Sequence, residues 1–506
     1  MKDIQINGRT IIGEDVPAYI IAEMSANHAG SLERAKEIIH AAKEAGADCI
    51  KIQTYTPDTI TMNCKNSYFQ IQTGTWQKEN LYDLYAKAYT PWEWQAELKE
   101  EADKVGIDFF SSPFDKTAVD FLEEIGVSFY KIASFELVDI PLLSYTASRG
   151  KPVILSTGMA SLAEIEEAVE VIRSTGNDQL VLLRCASAYP AISAGMNLET
   201  MIDMKRRFDV PVGLSDHSMG SLAAVGAVAM GASVIEKHFC ISRRIENPDS
   251  TFSMEPEEFA QMVREIRQIE LAKGSVCYGP TAQESSNLGF RKSIFITKDV
   301  KCGDIFSEEN IRVIRPGHGL HTREYEYVLG KKAACDRAAG MPLTIEDIEE
   351  FLTLSRADST HEKLLFDWAN DKEVRQQSFS SEQILWENHQ SWYESSLKDP
   401  DRRIYIAYHG TTPVGMLRFD LEEEGSMAEI SYSIAENFRK RGYGKEMIRC
   451  GIKAARKEAG SWAKIEQFCA RVKPQNEGSR RIFEALGFQE EQTEGEDYVL
   501  YTCRCE

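Results

Sequence analysis

Residues able to move protons, hold a cation or neutralise an anion recur at or just behind the ends of short apolar runs in the first half of the chain. They are Glu23, Lys51, Gln53, Ser111, Ser112, Lys131, Ser134, Arg184, Ser215, Asp216, His217, Lys237 and His238. Of only nine histidines, His217 and His238 end consecutive runs, beside Asp216 and Glu236. Two imidazoles so placed can share one divalent cation and leave positions open for substrate and water. Lys51 and Lys131 lie inside apolar runs, where an ammonium is costly unless an anion compensates it. With Ser112, Ser134 and Ser215 they suit an anion carrying phosphate and carboxylate groups. Glu23 can hold a substrate hydroxyl or shuttle a proton, or pair with Lys51. Two hydrogen-bonded core histidines, and a Schiff-base lysine of an aldolase, are the competing readings.

The runs themselves are Tyr19–Glu23, Cys49–Gln53, Asp108–Ser112, Phe129–Ile132, Val153–Ser156, Val181–Arg184, Val212–Ser215 and Val234–His238. Most follow a glycine that closes a helical stretch: Gly46, Gly106, Gly126, Gly150, Gly176 and Gly231. Eight helix–glycine–strand units predict an α/β fold, a (β/α)8 barrel whose chemistry lies at the C-terminal strand ends. Ser161 and Glu164 form a capping box before the apolar stripe Leu162, Ile165, Val169 and Ile172. Ser31 opens a similar helix with the stripe Leu32, Ala35, Ile38, Ile39 and Ala42. The segment 65–94 is long for a barrel loop and rich in Tyr and Trp, including Trp76, as expected of a loop shaping the substrate side.

The bulk composition narrows the function classes. A chain of 506 residues needs two or three domains, and 43% hydrophobic content is enough for their cores. A net charge of −21 argues against nucleic acid and anionic membranes as partners. Eleven cysteines without one Cys-x-x-Cys pair suit a reducing compartment rather than a thiolate zinc site. The polar stretch 1–10 has no apolar signal core, and 222–235 is too short and too rich in Gly and Ala to span a bilayer. The expectation is a cytoplasmic protein.

The pattern changes after Gly279-Pro280, so domains are expected at 1–280, 281–350 and 351–506. A motif occurs twice at the same spacing, Gly303-Asp-Ile-Phe306-Ser307-Glu-Glu-Asn-Ile311 and Gly340-Met-Pro-Leu343-Thr344-Ile-Glu-Asp-Ile348. That repeat predicts a small pseudo-twofold β module without an active site of its own. Between the copies, Arg315-Pro-Gly-His-Gly319 is either a mobile cationic cover for an anionic pocket or a plain surface turn. The last segment starts with aromatic-rich helices (364–375, 384–397), followed by strands near 404–407, 414–419 and 429–434. Then comes Arg439-Lys440-Arg441-Gly442-Tyr443-Gly444-Lys445 and a helix, a basic Gly-rich turn whose backbone N–H groups can cradle a pyrophosphate. Asn476, Ser479 and Gly487-Phe488 follow it.

Several of these motifs, in this order, resemble the sialic acid synthase family. They are Ala22-Glu-Met-Ser-Ala-Asn27-His28-Ala-Gly-Ser31, Lys51-Ile-Gln-Thr-Tyr-Thr-Pro-Asp58, Ser111-Ser-Pro-Phe114, Tyr130-Lys-Ile-Ala-Ser-Phe-Glu136, Gly213-Leu-Ser-Asp-His217 and Glu236-Lys-His-Phe239. The Tyr-Thr-Pro and Ala-Ser-Phe-Glu variants are most similar to the pseudaminic acid branch. The likeness covers about residues 1–350, because 293–348 resembles that family's antifreeze-like (SAF) module. It implies condensation of phosphoenolpyruvate with 2,4-diacetamido-2,4,6-trideoxy-L-altrose, giving a nine-carbon keto acid and phosphate. The N-acetylneuraminic and legionaminic acid syntheses, or a non-catalytic sugar-binding barrel, are the rival outcomes. The resemblance further implies Mn2+ or Mg2+ at His217 and His238. It puts phosphoenolpyruvate on Lys51, Ser112, Lys131, Ser134, Ser187 and Ser215, and the sugar on Glu23, Gln53, Glu136 and Tyr189. The module would cap the partner's barrel in a swapped homodimer, bringing Arg315 and Phe290 to it. Ser112 stands where the family has Thr, and Ser187 where it has Asn.

The last segment resembles GNAT N-acetyltransferases. The resemblance implies that Arg439, Arg441, Gly442, Gly444, Lys445 and Asn476 hold acetyl-CoA. Trp368-Ala-Asn-Asp-x-x-Val-Arg375 and Trp386-x-x-His389-x-x-Trp392 are similar to amino-sugar acetyltransferases of the pseudaminic acid pathway. Phe483 stands where the family often has a Tyr that protonates the leaving thiolate, which leaves the general acid open.

Overall fold

The computed structural model describes residues 3–6, 9–13, 16–73, 76–422, 426–458, 460–491 and 497–504. Of the polar N-terminal stretch, residues 1, 2, 7 and 8 lie outside this set. The chain divides into two units, Met1–Cys277 and Tyr278–Glu506.

The first unit begins with an antiparallel hairpin, β1 (Ile4–Ile6) and β2 (Arg9–Ile12). Eight parallel strands then close into a barrel: β3 (Tyr19–Glu23), β4 (Cys49–Thr54), β5 (Asp108–Pro113), β6 (Tyr130–Ile132), β7 (Val153–Ser156), β8 (Leu180–Cys185), β9 (Val212–Asp216) and β10 (Val234–His238). Each expected strand is present within two residues of its bounds. The helices start and stop as their sequences require. Ser31 caps Leu32–Glu44 by accepting the Arg34 N–H, and the Ser161–Glu164 capping box opens Leu162–Ser174. Gly106 ends Trp92–Val105 at φ 73°, in the left-handed region that a side chain disfavours.

The pleat sorts side chains between two cores. Alternate residues (Tyr19, Ile21, Cys49, Phe110, Phe129, Ile154, Val181, Leu183 and Val234) point inward, and together with Ile4, Ile11 and Ile12 of the hairpin they fill the lower barrel. The intervening residues, such as Ile20, Ile52, Ile132, Leu182 and Leu214, pack outward beneath the helices. Continuing the inward parity up each strand leads from this apolar floor to polar residues.

In the second unit, β11 (Ser293–Ile296) and β12 (Ile311–Ile314) pair antiparallel, and Phe295 bridges to Pro342. The two copies of the repeat fold alike. Asn310 Oδ1 accepts the Ser307 N–H at 2.8 Å, and Asp347 Oδ2 accepts the Thr344 N–H at 2.8 Å. Phe306, Leu343, Ile311 and Ile348 are all buried. A seven-stranded sheet follows in the order β13-β14-β15-β16-β17-β19-β18. Its strands are β13 (Thr353–Arg356), β14 (Arg402–His409), β15 (Thr412–Leu421), β16 (Met427–Ile434), β17 (Gln467–Val472), β18 (Gln489–Glu491) and β19 (Val499–Arg504). β16 and β17 pair in parallel only through Met427, Ala428 and Glu429, then separate. One hydrophobic core joins Ile294, Ile311 and Leu343 with Tyr405, Leu417, Met447 and Phe468, so module and sheet are packed together. Among the described residues, no helix is long and apolar enough to cross a membrane.

Candidate active site

Above the apolar floor of the barrel the inward positions become Glu23, Lys51, Gln53, Ser112, Lys131, Ser156, Cys185, Ser215, Glu236 and His238. Strand register explains their contacts. Lys51 lies opposite Glu23 on the adjacent strand, and β10 flanks β3 on its other side. Lys51 Nζ therefore reaches Glu23 Oε2 and Glu236 Oε2, each at 2.9 Å, with all three residues buried. The expected Glu23–Lys51 pair is thus present, and Gln53 Nε2 donates to Glu23 Oε1 at 3.1 Å. Lys131 Nζ is 3.8 Å from Glu236 Oε1, which also accepts from Ser215 Oγ at 2.8 Å.

Two ammonium groups share two carboxylates here, and burial sets how they titrate. Burial opposes the charge on Lys51, but Glu23 and Glu236 outweigh it and hold its pKa above the ordinary value. Lys131 lacks so close a partner, and burial pushes it down to about 8. Burial raises Glu236 less than Lys131 and Lys51 lower it, so it stays ionised, whereas Glu23 is raised by its burial. Burial also raises Glu136 to about 7.

The imidazoles of His217 and His238 lie 5.4 Å apart, ring centre to ring centre. His217 Nδ1 is 3.1 Å from the Ala186 carbonyl, so that nitrogen carries a hydrogen. Burial lowers the pKa of this ring, but Cys185 and that carbonyl outweigh it and hold it above the ordinary value, so a cation at Nε2 would have to displace a proton. Burial, with His217 and Lys51 adding to it, keeps His238 well below its usual pKa and hence neutral. His238 Nδ1 is buried with no hydrogen-bond partner. A neutral imidazole with an unsatisfied buried nitrogen fits a cation ligand. No group of three or more His, Cys, Asp or Glu donors surrounds the pair among the described residues. A metal there would need substrate or water for the rest of its sphere.

Three further buried side-chain atoms have no partner: Ser112 Oγ, Ser156 Oγ and Glu136 Oε2. Ser134 Oγ accepts the Gly158 N–H at 3.1 Å. A Cβ on Gly158 would collide with Ser187 Oγ and lie 2.7 Å from Ser134 Oγ. Gly158→Ala should therefore displace both hydroxyls and raise the KM for the anionic substrate about tenfold or more, read by steady-state kinetics with circular dichroism as the folding control. Tyr189 packs against His217 (4.3 Å) and against Trp76 (5.4 Å), whose indole donates to Pro248 O at 3.0 Å. Segment 65–94 thus reaches the site through Trp76. Trp92 instead opens the next helix and stacks on Phe121.

Four expected pocket residues face away, because the pleat turns every second side chain outward. Ser111 Oγ bonds Thr54 Oγ1 and Ile52 O on the helix side, and Arg184 donates to the carbonyls of Met196 and Cys185. Asp216 and Lys237 pair with each other at 2.6 Å in the outer layer. Conversely, Cys185 and Ser156 line the pocket although no motif singles them out; their parity with Leu183 and Ile154 is the signal that places them there. Glu236, which the sequence offers only as a neighbour of His238, joins both lysines.

In the second unit, Phe290 and Arg315 are exposed, and a Gly317 N–H to Gly289 O bond of 2.9 Å ties their loops together. Of the expected acetyl-CoA residues, Gly442 (φ 83°) begins the helix Tyr443–Ala455, and a Cβ on Gly444 would press Ile482 at 2.9 Å. The guanidinium of Arg441 lies 5.0 Å over Phe438. Arg439 clamps Asp371 and Glu373, Lys445 pairs with Glu346 at 2.8 Å, and Asn476 caps the helix Glu477–Ala485. Phe483 is buried between the rings of Tyr501 (5.9 Å) and Tyr432 (6.0 Å), and Tyr432 Oη lies 2.9 Å from Ser479 Oγ.

Comparison with known proteins agrees with this geometry. Residues 38–278 match the NeuB family, 291–349 the SAF domain and 352–489 the acetyltransferase (GNAT) domain. The chain is 47% identical over 333 residues to the pseudaminic acid synthase of Campylobacter jejuni subsp. jejuni, spanning 66% of this chain and 97% of that protein. It is 36% identical over 356 residues to the N,N'-diacetyllegionaminic acid synthase of Legionella pneumophila, spanning 68% and 98%. Among solved structures, an N-acetylneuraminic acid (sialic acid) synthetase from Leptospira borgpetersenii in complex with citrate aligns with a TM-score of 0.51 and 34% identity, over 57% of this chain and 95% of that one. With a closed barrel whose polar upper layer carries the family's motifs, the chain belongs to the NeuB family, and SAF and GNAT acetyltransferase domains follow its barrel.

Proposed function

We propose that the barrel condenses phosphoenolpyruvate with 2,4-diacetamido-2,4,6-trideoxy-L-altrose to give pseudaminic acid and phosphate. The observation that carries this reading is the buried cluster of Lys51, Lys131, Glu236 and Ser215 beside the histidine pair, with unsatisfied hydroxyls of Ser112 and Ser156 around it. Lys51 and Lys131 neutralise phosphate and carboxylate, while Ser112, Ser134, Ser187 and Ser215 direct them. His217 Nε2 and His238 Nδ1 would hold Mn2+ or Mg2+, which supplies polarisation of the sugar aldehyde. C3 of phosphoenolpyruvate then bonds to the aldehyde carbon, water adds at C2, and phosphate leaves with cleavage of its C–O bond. Glu136, protonated up to about pH 7, can donate to a sugar hydroxyl, and Glu23, Gln53 and Tyr189 complete that side.

We extend this reading to a division at 1–280, 281–350 and 351–506, in a cytoplasmic homodimer whose SAF module brings Phe290 and Arg315 to the partner's barrel. The final domain would use acetyl-CoA to acetylate an amino sugar. Identity to the pseudaminic acid synthase exceeds that to two N,N'-diacetyllegionaminic acid synthases by eight and eleven percentage points, which supports the altrose substrate. Phosphate release with that sugar, N-acetylmannosamine and the legionaminic precursor tests it. Preferred turnover of N-acetylmannosamine would overturn the assignment.

The kcat/KM for phosphoenolpyruvate reports the free enzyme, in which Lys131 titrates near 8. It should fall as pH rises through that value, because the anion site loses a cation. The kcat should titrate later, since bound anion holds the proton on. A kcat/KM flat from pH 7 to 9.5 would remove Lys131 from the anion site.

A further inference from the structure

The turn that opens the helix Tyr443–Ala455 is held from outside the acetyltransferase fold. Glu324 of the SAF module is buried and accepts a hydrogen bond from Tyr443 Oη at 3.1 Å. Its other oxygen lies 3.0 Å from His409 Nε2. The His409 ring stacks on Tyr443 (5.4 Å, 19°) and also meets Tyr327 at 3.6 Å and Phe351 at 5.2 Å, and Phe351 packs edge-on against Tyr443 at 5.7 Å. Two further contacts come from the same module. Glu346 pairs with Lys445 at 2.8 Å, and a Cβ on Gly442 would lie 3.3 Å from Ile345 Cδ1. A buried carboxylate that accepts a hydrogen bond from Tyr443 on one oxygen and lies 3.0 Å from His409 Nε2 on the other is costly to leave unpaired. It therefore fixes the turn far more firmly than a Gly-rich sequence would fix itself.

We propose that Glu324 is a positioning residue for acetyl-CoA, setting the Gly442–Lys445 turn through Tyr443 so that the SAF module helps to determine cofactor affinity. This rests on the reading that the last domain binds acetyl-CoA through that turn. Backbone N–H groups hold a pyrophosphate well only if they are already aligned, because ordering them on binding subtracts from affinity. Coupling of this kind is reciprocal, so acetyl-CoA must in turn stabilise the segment around Glu324.

The test uses the full chain. Acetyl-CoA affinity is measured by calorimetry for wild type, Glu324→Gln and Tyr443→Phe, the last of which keeps the ring stack and removes only the hydroxyl. Affinity should drop about tenfold in both variants, as for loss of a hydrogen bond to a charged group. Phosphate release by the barrel should be unchanged, and a wild-type melting transition of the second unit controls for its folding. In wild type, acetyl-CoA should slow amide hydrogen exchange across 320–330, and this protection should be lost in Tyr443→Phe. A role confined to folding would not produce that ligand-dependent protection. Variants that bind within twofold of wild type, or exchange at 320–330 indifferent to acetyl-CoA, overturn the proposal. A wild type that binds no acetyl-CoA overturns the acetyltransferase reading itself, and this inference with it.

Discussion

His238→Ala should lose condensation activity by about three orders of magnitude, since a bound divalent cation supplies several kcal/mol of transition-state stabilisation. His238 is buried, neutral and unsatisfied at Nδ1, so under the proposed metal role its removal would delete a ligand without breaking a hydrogen bond. The expected signature is therefore a loss of phosphate release far out of proportion to the modest fall in melting temperature that lost packing on Phe252 and His217 would cause. Acetyl-CoA binding by the second unit should be untouched. Equal turnover by the variant would make His238 a packing residue, as one reading of its sequence position allows.

Lys51→Met should be damaging in a different way. It leaves Glu23 and Glu236, both buried, without the ammonium that each meets at 2.9 Å. Breaking a buried pair by removing one partner typically costs about 3–5 kcal/mol, because a desolvated charge is left behind. The pH dependence gives the cause away. Without Lys51 the Glu23 carboxyl, which burial already raises, should rise further, and Glu236 keeps only Lys131 and Ser215, so the folded state binds more protons than the unfolded state. Such groups destabilise increasingly as pH climbs above the unfolded carboxylate range near 4.5. The difference in melting temperature between wild type and Lys51→Met should therefore be small at pH 4.5 and large at pH 8. Glu236→Gln added to the same chain should recover part of the loss. A pH-independent difference would assign the effect to lost packing instead.

The barrel was legible in the sequence because strand and helix periods repeat eight times and a glycine punctuates most of the junctions. What a list of strand ends did not supply was the sense of the pleat. Ser111 and Ser112, or Lys237 and His238, are adjacent in sequence but lie on opposite sides of the barrel wall, and only the parity of Phe110 or Val234 tells which member faces the pocket. The same rule recovers Cys185 and Ser156. Contacts between distant segments are a harder case. Glu346 meets Lys445 across 99 residues of chain, and Glu324 meets Tyr443 across 119. No local spacing encodes either. The Arg-rich turn suggests that all its cations face a phosphate, whereas Arg439 and Lys445 are already engaged by carboxylates.

The most direct test of the paired histidines and paired lysines is phosphate release from phosphoenolpyruvate and the diacetamido sugar by enzyme stripped with chelator and verified metal-free by elemental analysis. Release should cease on stripping and return with added Mn2+ or Mg2+ in the wild type, but not in His217→Ala or His238→Ala. Undiminished release by the metal-free wild type would contradict the account.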